Sequence, residues 1–334
     1  MSSTQDFLFQ RIRETLPDEA SLADAVAGVL HLSIDSVYRR IRGETPLVLE
    51  ETKLLCEHFA ISLDSLISAR PGAVLFYTER LHAEHFSFTE YLAGIRDQLK
   101  KLEQAPKKEI IYVSKDLPLF HNFSDEPLFA FHYFFWMKSI LRHPDFEGQN
   151  FSPDCLTDEI RSLGAEILDL YNRIPSTEVW NTECINSIIF QLEYYREAGY
   201  FNSAADAMQV YESVLHVIAH IREQAEQGSK FLPGRHSGVY PDNLKFFYNR
   251  ITLGDNTILA VAGEQVLAYV NYDVINYMTT TDQQFCRDMM AEVRSLIRRS
   301  TMISHSGEKQ RNIFFHLLTS KVEDRKKSLT GYGT

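Results

Sequence analysis

Residues 23–43 read Ala23-Asp24-Ala25-Val26-Ala27-Gly28-Val29-Leu30-His31-Leu32-Ser33-Ile34-Asp35-Ser36-Val37-Tyr38-Arg39-Arg40-Ile41-Arg42-Gly43. Leu22, Val26, Val29 and Leu30 fall at i, i+4, i+7 and i+8, the spacing of one buried helical stripe. Ser21 can cap that helix, and His31 with Leu32 forms a turn. Ser33 suits the N-cap of a second helix, because its hydroxyl can accept a backbone N–H two or three residues on. Ile34, Val37 and Ile41 then repeat at i, i+3 and i+7. Gly43 stops the helix and Pro46 prevents its resumption. The stretch predicts two short helices joined by a tight turn, the second carrying Arg39, Arg40 and Arg42.

Outward from this pair, Phe7 to Leu16 predicts a preceding helix. Glu50 to Phe59 predicts a fourth, and Ser62 caps a short fifth through Ile67. Ser68-Ala69-Arg70-Pro71-Gly72 marks a boundary. Residues 1–70 are thus expected to form a five-helix domain. Beyond it, Phe76 to Leu102 predicts a long helix and Glu109 to Ser114 a strand. An aromatic-rich helix follows at 125–141, then helices at 155–173, 178–198 and 203–227. The Pro- and Gly-bearing segment 230–242 reads as a loop. Phe246 to Leu253, Thr257 to Ala262 and Gln265 to Tyr272 are rich in β-formers and separated by turn residues, which predicts an antiparallel meander. Asp282 caps a helix to about Arg299, and another follows from Glu308 to about Lys326. The expected fold class is mainly α. The five-helix domain precedes a larger, α-rich α+β domain over 71–334, with a small antiparallel sheet near 109–114 and 246–272.

The 334 residues are 44% hydrophobic and 24% charged, ordinary for a globular protein. No apolar run reaches the roughly 18 residues of a membrane span, and the start lacks a basic-then-apolar leader, so a cytoplasmic location is expected. Cys56, Cys155, Cys184 and Cys286 are far apart and read as small apolar residues. The net charge is −11, and residues 1–70 carry seven Lys/Arg against eleven Asp/Glu. Phosphate backbones repel acidic chains, so any DNA binding must come from a local arrangement of charge.

A helix-turn-helix has such an arrangement: its first helix crosses the DNA backbone and its second puts its N-terminal half into the major groove. Close approach of the two helices wants a small residue, which Ala27 supplies. Val37 sits at the inward position of the second helix, while Tyr38, Arg39 and Arg42 offer outward donors. At these residues the segment resembles the lambda-repressor/Cro (Xre-type) family. The matching elements are Val26-Ala27, Leu32-Ser33, Val37, Arg42-Gly43, Pro46 and the closing Phe59-Ala60-Ile61-Ser62-Leu63-Asp64-Ser65-Leu66. His31 departs from the family, which usually has Gly at this turn position, one that often needs positive φ. Arg40 stands where an apolar residue is common, leaving Ile41 to carry the packing. The resemblance covers roughly residues 8–67. It implies a sequence-specific transcriptional regulator that contacts double-stranded DNA through Ser33, Ile34, Asp35, Ser36, Tyr38, Arg39, Arg40 and Arg42. Arg39 is the expected base reader, since guanidinium pairs bidentately with guanine. Asp35 can accept from cytosine N4. Arg40 and Arg42 are expected at phosphates, which fix register without reading sequence.

The remainder resembles, in architecture, the effector region of long bacterial one-component regulators. That implies a sensor role and names no effector. A homodimer is expected because one head buries little DNA surface while paired heads read half-sites about one helical turn apart, and the later domain is expected to bind a small molecule, a peptide or another protein. His216 and His220 have metal-ligand spacing, as do His82 and His85, but neither pair has a further ligand nearby in sequence. Asp116 and His121 lie near a strand end with no nucleophile paired to them. No hydrolase, Walker or dinucleotide motif is present, so no enzyme activity, cofactor or metal is expected. The aromatic run Phe129 to Trp136 suits a core helix or a dimer face in preference to the lining of a ligand pocket, and 194–205 suits a helical hairpin. The rival expectation is a helical interaction adaptor whose helix-turn-helix does not read DNA.

Overall fold

The computed structural model describes residues 4–17, 20–59, 61–63, 73–78, 86–235, 240–251 and 253–330. The chain divides into two units, 1–75 and 76–334.

In the first unit, α1 (Thr4–Thr15), α2 (Leu22–Leu30), α3 (Ile34–Ile41) and α4 (Leu49–His58) surround one apolar core. Leu8, Phe9 and Ile12 meet Leu22, Ala23 and Val26, closed by Val37, Leu55 and Cys56. The expected fifth helix lies mostly outside the described residues.

In the second unit, helices dominate and pack on a single mixed sheet, so the chain is α+β. Its helices are α5 (Phe88–Glu103), α6 (Leu119–Asn122), α7 (Glu126–Phe135), α8 (Asp158–Arg173), α9 (Asn186–Glu197), α10 (Ala204–Gln227), α11 (Gln283–Arg298) and α12 (Glu308–Thr330). Its strands are β1 (Lys108–Ser114), β2 (Ser176–Trp180), β3 (Leu244–Tyr248), β4 (Thr257–Ala262), β5 (Gln265–Asn271), β6 (Tyr277–Thr280) and β7 (Thr301–Met302). Among the described residues the strand order is β6-β5-β4-β1-β2-β3-β7.

The sheet corrects the expected small antiparallel meander. β4 and β5 are antiparallel as read and β6, which the sequence reading did not include, adds to them antiparallel, but β1, β2 and β3 run parallel, with Ile110 beside Ser176 and Ser176 beside Leu244. Parallel neighbours need crossover connections, and the helices between β1 and β3 provide them. β2 occupies the start of the expected 178–198 helix, which instead begins at Asn186. All five β2 residues are buried, so no alternation marks them as a strand. The expected helix at 76–102 is also shorter. Tyr77 exchanges backbone hydrogen bonds with Thr279 at the sheet edge, and α5 starts at Phe88 behind the Ser87 cap.

Alternate residues of β1 serve different layers. Ile110 and Tyr112 face the large aromatic core with Trp180 and Phe246, while Ile111 and Val113 face a smaller cluster with Cys286 and Val293 of α11. Phe129, Phe131 and Phe134 are buried in the large core, their rings packed on Phe123, Phe151 and Phe146. The aromatic run is therefore a core helix, extended by a π-turn at Trp136–Ile140. All four cysteines are free. No helix among the described residues is long and apolar enough to cross a membrane.

Candidate nucleic-acid interface

α3 is built by short-range chemistry. Ser21 caps α2 by accepting from the Asp24 N–H. α2 ends at His31, which takes the left-handed conformation (φ 54°) that its turn position requires, and its N–H donates to the Ala27 carbonyl. Ser33 then caps α3, its Oγ accepting from the Ser36 N–H and lying 2.9 Å from Ser36 Oγ. Gly43 (φ 73°) closes the far end, with its N–H on the Arg40 carbonyl and the Glu44 N–H on the Arg39 carbonyl.

The faces of α3 are sharply divided. Val37 is fully buried, and Ile41 packs against the same core. Ile34 and Tyr38 are 46% and 45% exposed, and Asp35, Arg39 and Arg42 are exposed as well. Among the described residues, the Arg39 guanidinium makes no hydrogen bond or ion pair. Arg42 lies against Glu44, with Nε 2.6 Å from Oε1 and Nη2 3.1 Å from Oε2. That bond raises the Arg42 guanidinium further above its ordinary value and lowers the Glu44 carboxyl.

Arg40 departs from the expected phosphate-facing role. Its Nε and Nη2 donate to the two carboxylate oxygens of Glu51 at 3.1 and 2.8 Å, and its Nη1 donates to the Ser36 carbonyl at 3.2 Å. The two side chains are only 14% and 18% exposed. This fork joins α3 to α4, and Glu51 also accepts from the Val48 N–H. Ser33 and Ser36 are likewise engaged with one another at the helix start. Six of the eight candidate residues thus reach the open side or head of α3 without a tie to another helix or a neighbouring carboxylate; Arg42 is held by Glu44 and Arg40 by Glu51.

Sequence reading missed Gln5. From α1, its Nε2 donates to the Arg40 and Thr45 carbonyls, and its Oε1 accepts from the Leu47 N–H. It holds the exit of α3 through the backbone of Arg40, Thr45 and Leu47. No local pattern marks Gln5, because its partners lie 35 to 42 residues away.

The second unit holds a buried polar group. Glu178 on β2 accepts from Tyr171 OH and Ser176 Oγ through one oxygen, and lies 3.0 Å from Trp180 Nε1 and 3.3 Å from His121 Nε2 through the other. Burial works to raise its pKa, but His121, the Tyr171 hydroxyl and the charge of Lys230 bring it below the ordinary value. Lys230 donates to the Tyr171 and Ile174 carbonyls and sits 3.7 Å from the centre of the Tyr171 ring. Burial pulls it down to about 7. These groups satisfy one another and meet no solvent, so they tie α6, α8 and the loop after α10 to the sheet.

The other sequence candidates do not converge. Asp116 accepts from Ser187 and Asn256, while His121 lies against Glu178. His216 approaches Asp125, while His220 meets the Phe231 carbonyl and Gln224. His82 and His85 lie outside the described residues. Among the described residues, no group of three or more His, Cys, Asp and Glu side chains is placed to hold a metal. No family model, curated protein or solved structure matches the chain.

Proposed function

We propose that this chain is a sequence-specific, DNA-binding transcriptional regulator. Its first unit is a five-helix, lambda-repressor-like helix-turn-helix head that reads double-stranded DNA. Its second unit serves sensing or oligomerisation. The observation that carries the reading is the open face of α3, where exposed Arg39, whose guanidinium makes no hydrogen bond or ion pair among the described residues, stands with exposed Asp35, Tyr38 and Arg42. Behind that face, Val37, the Arg40–Glu51 fork and Gln5 hold the helix rigidly, as base reading requires. Arg39 addresses a base edge and Arg42 a phosphate, exchanging Glu44 for it.

A homodimer accords with this reading, because paired heads read half-sites about one helical turn apart. It also offsets the acidity of the chain through avidity. The test is selection of bound fragments from a random duplex pool by the full chain. A convergent sequence is expected, with log Kobs falling linearly against log salt. No enrichment over the input pool overturns the reading.

A second reading, a protein-interaction adaptor, is favoured by Val48, Leu49 and Leu54, which are 53%, 66% and 49% exposed on and beside α4. It predicts a chain that enriches no duplex.

A further inference from the structure

The open face of α3 carries two adjacent rows of different chemistry. Asp35 and Arg39 form a charged row at i, i+4. Ile34 and Tyr38 form an apolar row at the same spacing, and residues so spaced lie one above the other. Single exposed apolar residues are ordinary, but these two stand together beside the cations. Neither belongs to the core of its unit or to the partly buried residues packed against it, and their exposures of 46% and 45% leave roughly half of each side chain free.

Ile34 has no hydrogen-bonding group in its side chain. It therefore cannot read the donors and acceptors of a base edge. The apolar feature that a base pair shows in the major groove is the C5-methyl of thymine. Ile34 stands at the first residue of α3, where the N-terminal half of a reading helix meets the bases. The neighbouring cations Arg39 and Arg42 match the duplex in charge. We infer that Ile34, with the ring of Tyr38 beside it, is a thymine-methyl reader, so that the recognised half-site holds a thymine selected by its methyl group. This rests on the DNA-reading function proposed above and adds to it the chemical feature that one residue selects.

The experiment uses the full chain and the best duplex from the pool selection. Each thymine is replaced singly by deoxyuridine, which keeps every hydrogen-bonding group and removes only the methyl. At one position per half-site, wild-type affinity is expected to fall about fourfold, the value of one buried methyl. Ile34→Ala should bind the thymine and uracil duplexes equally at that position, and Ile34→Val should fall between. Because Ile34 is exposed, the variants keep the fold, which circular dichroism checks. Binding that is insensitive to every thymine-to-uracil change, or equal sensitivity in Ile34→Ala, overturns this inference and leaves DNA reading intact. A pool that yields no bound duplex overturns both.

Discussion

Arg39 and Arg40 are adjacent in sequence and have opposite fates. A helix turns about 100° per residue, so one guanidinium faces solvent while the next reaches α4. Arg39→Ala is expected to weaken binding to the selected duplex by about 1–3 kcal/mol without altering stability, which a binding titration and an unfolding curve together would check. Arg40→Ala should act the other way round. It leaves the half-buried Glu51 carboxylate without its charged partner, at a cost of about 2 kcal/mol to the first unit. Faster amide exchange at Val37 and Leu55 would report it, and unchanged exchange would mean that the fork contributes little. The sequence marks Arg40 as unusual at an inward-leaning position, yet it cannot identify Glu51 as the reason.

The caps at Ser21, Ser33 and Asp282 were legible because each bonds a backbone N–H within three residues. His31 was legible as a strained turn residue for the same local reason. A non-glycine residue in the left-handed region costs roughly 1 kcal/mol or more, so His31→Gly should slow amide exchange in α2 and α3 by about that free energy. At the other extreme stands Gly164 on α8. A Cβ there would lie 2.7 Å from Phe129 Cε1 and 3.1 Å from Phe123 Cδ1. Gly164→Ala is expected to destabilise the second unit by about 1–3 kcal/mol through overpacking, read as a lowered Tm. Nothing around Gly164 in the sequence announces that contact, because Phe129 arrives from another helix.

Acid should destabilise the second unit through histidines that its core holds neutral. Burial pulls both His132 and His220 down to about 4, below the ordinary value of about 6.5. Between these values only the unfolded chain takes up the proton, so the histidines' contribution to stability is level above about pH 6.5 and falls as pH drops towards 4. Each histidine contributes on the order of 3 kcal/mol across that window. Glu178 acts in the same direction at lower pH, its depressed carboxyl losing its contribution as pH falls through the folded-state value. Both tryptophans, Trp136 and Trp180, lie in this unit, so tryptophan fluorescence can follow Tm from pH 7.5 to 4.5. His132→Phe should remove about half of the decline; an unchanged slope would place the proton uptake elsewhere. For the chain as a whole, the proposed dimer predicts twice the chain mass by light scattering at micromolar concentration, or two chains plus the duplex with DNA present, and a monomeric mass in both would count against it.

Periodicity and capping chemistry are carried by neighbouring residues, so the chain order alone was enough to read α2, its turn, α3 and the antiparallel β4–β5 pair. The burial of Val37 and the openness of Arg39 follow from the same helical geometry. Pairing across space left no such trace. The Arg40–Glu51 fork spans 11 residues, the Gln5–Leu47 bond spans 42, and the parallel register of β1 with β2 joins segments separated by three helices. A strand buried on both faces loses its alternation, and an arginine's role depends on which carboxylate folding brings to it. Those outcomes were settled when the chain closed on itself, because ion pairs and strand ladders form between neighbours in space and not between neighbours in sequence.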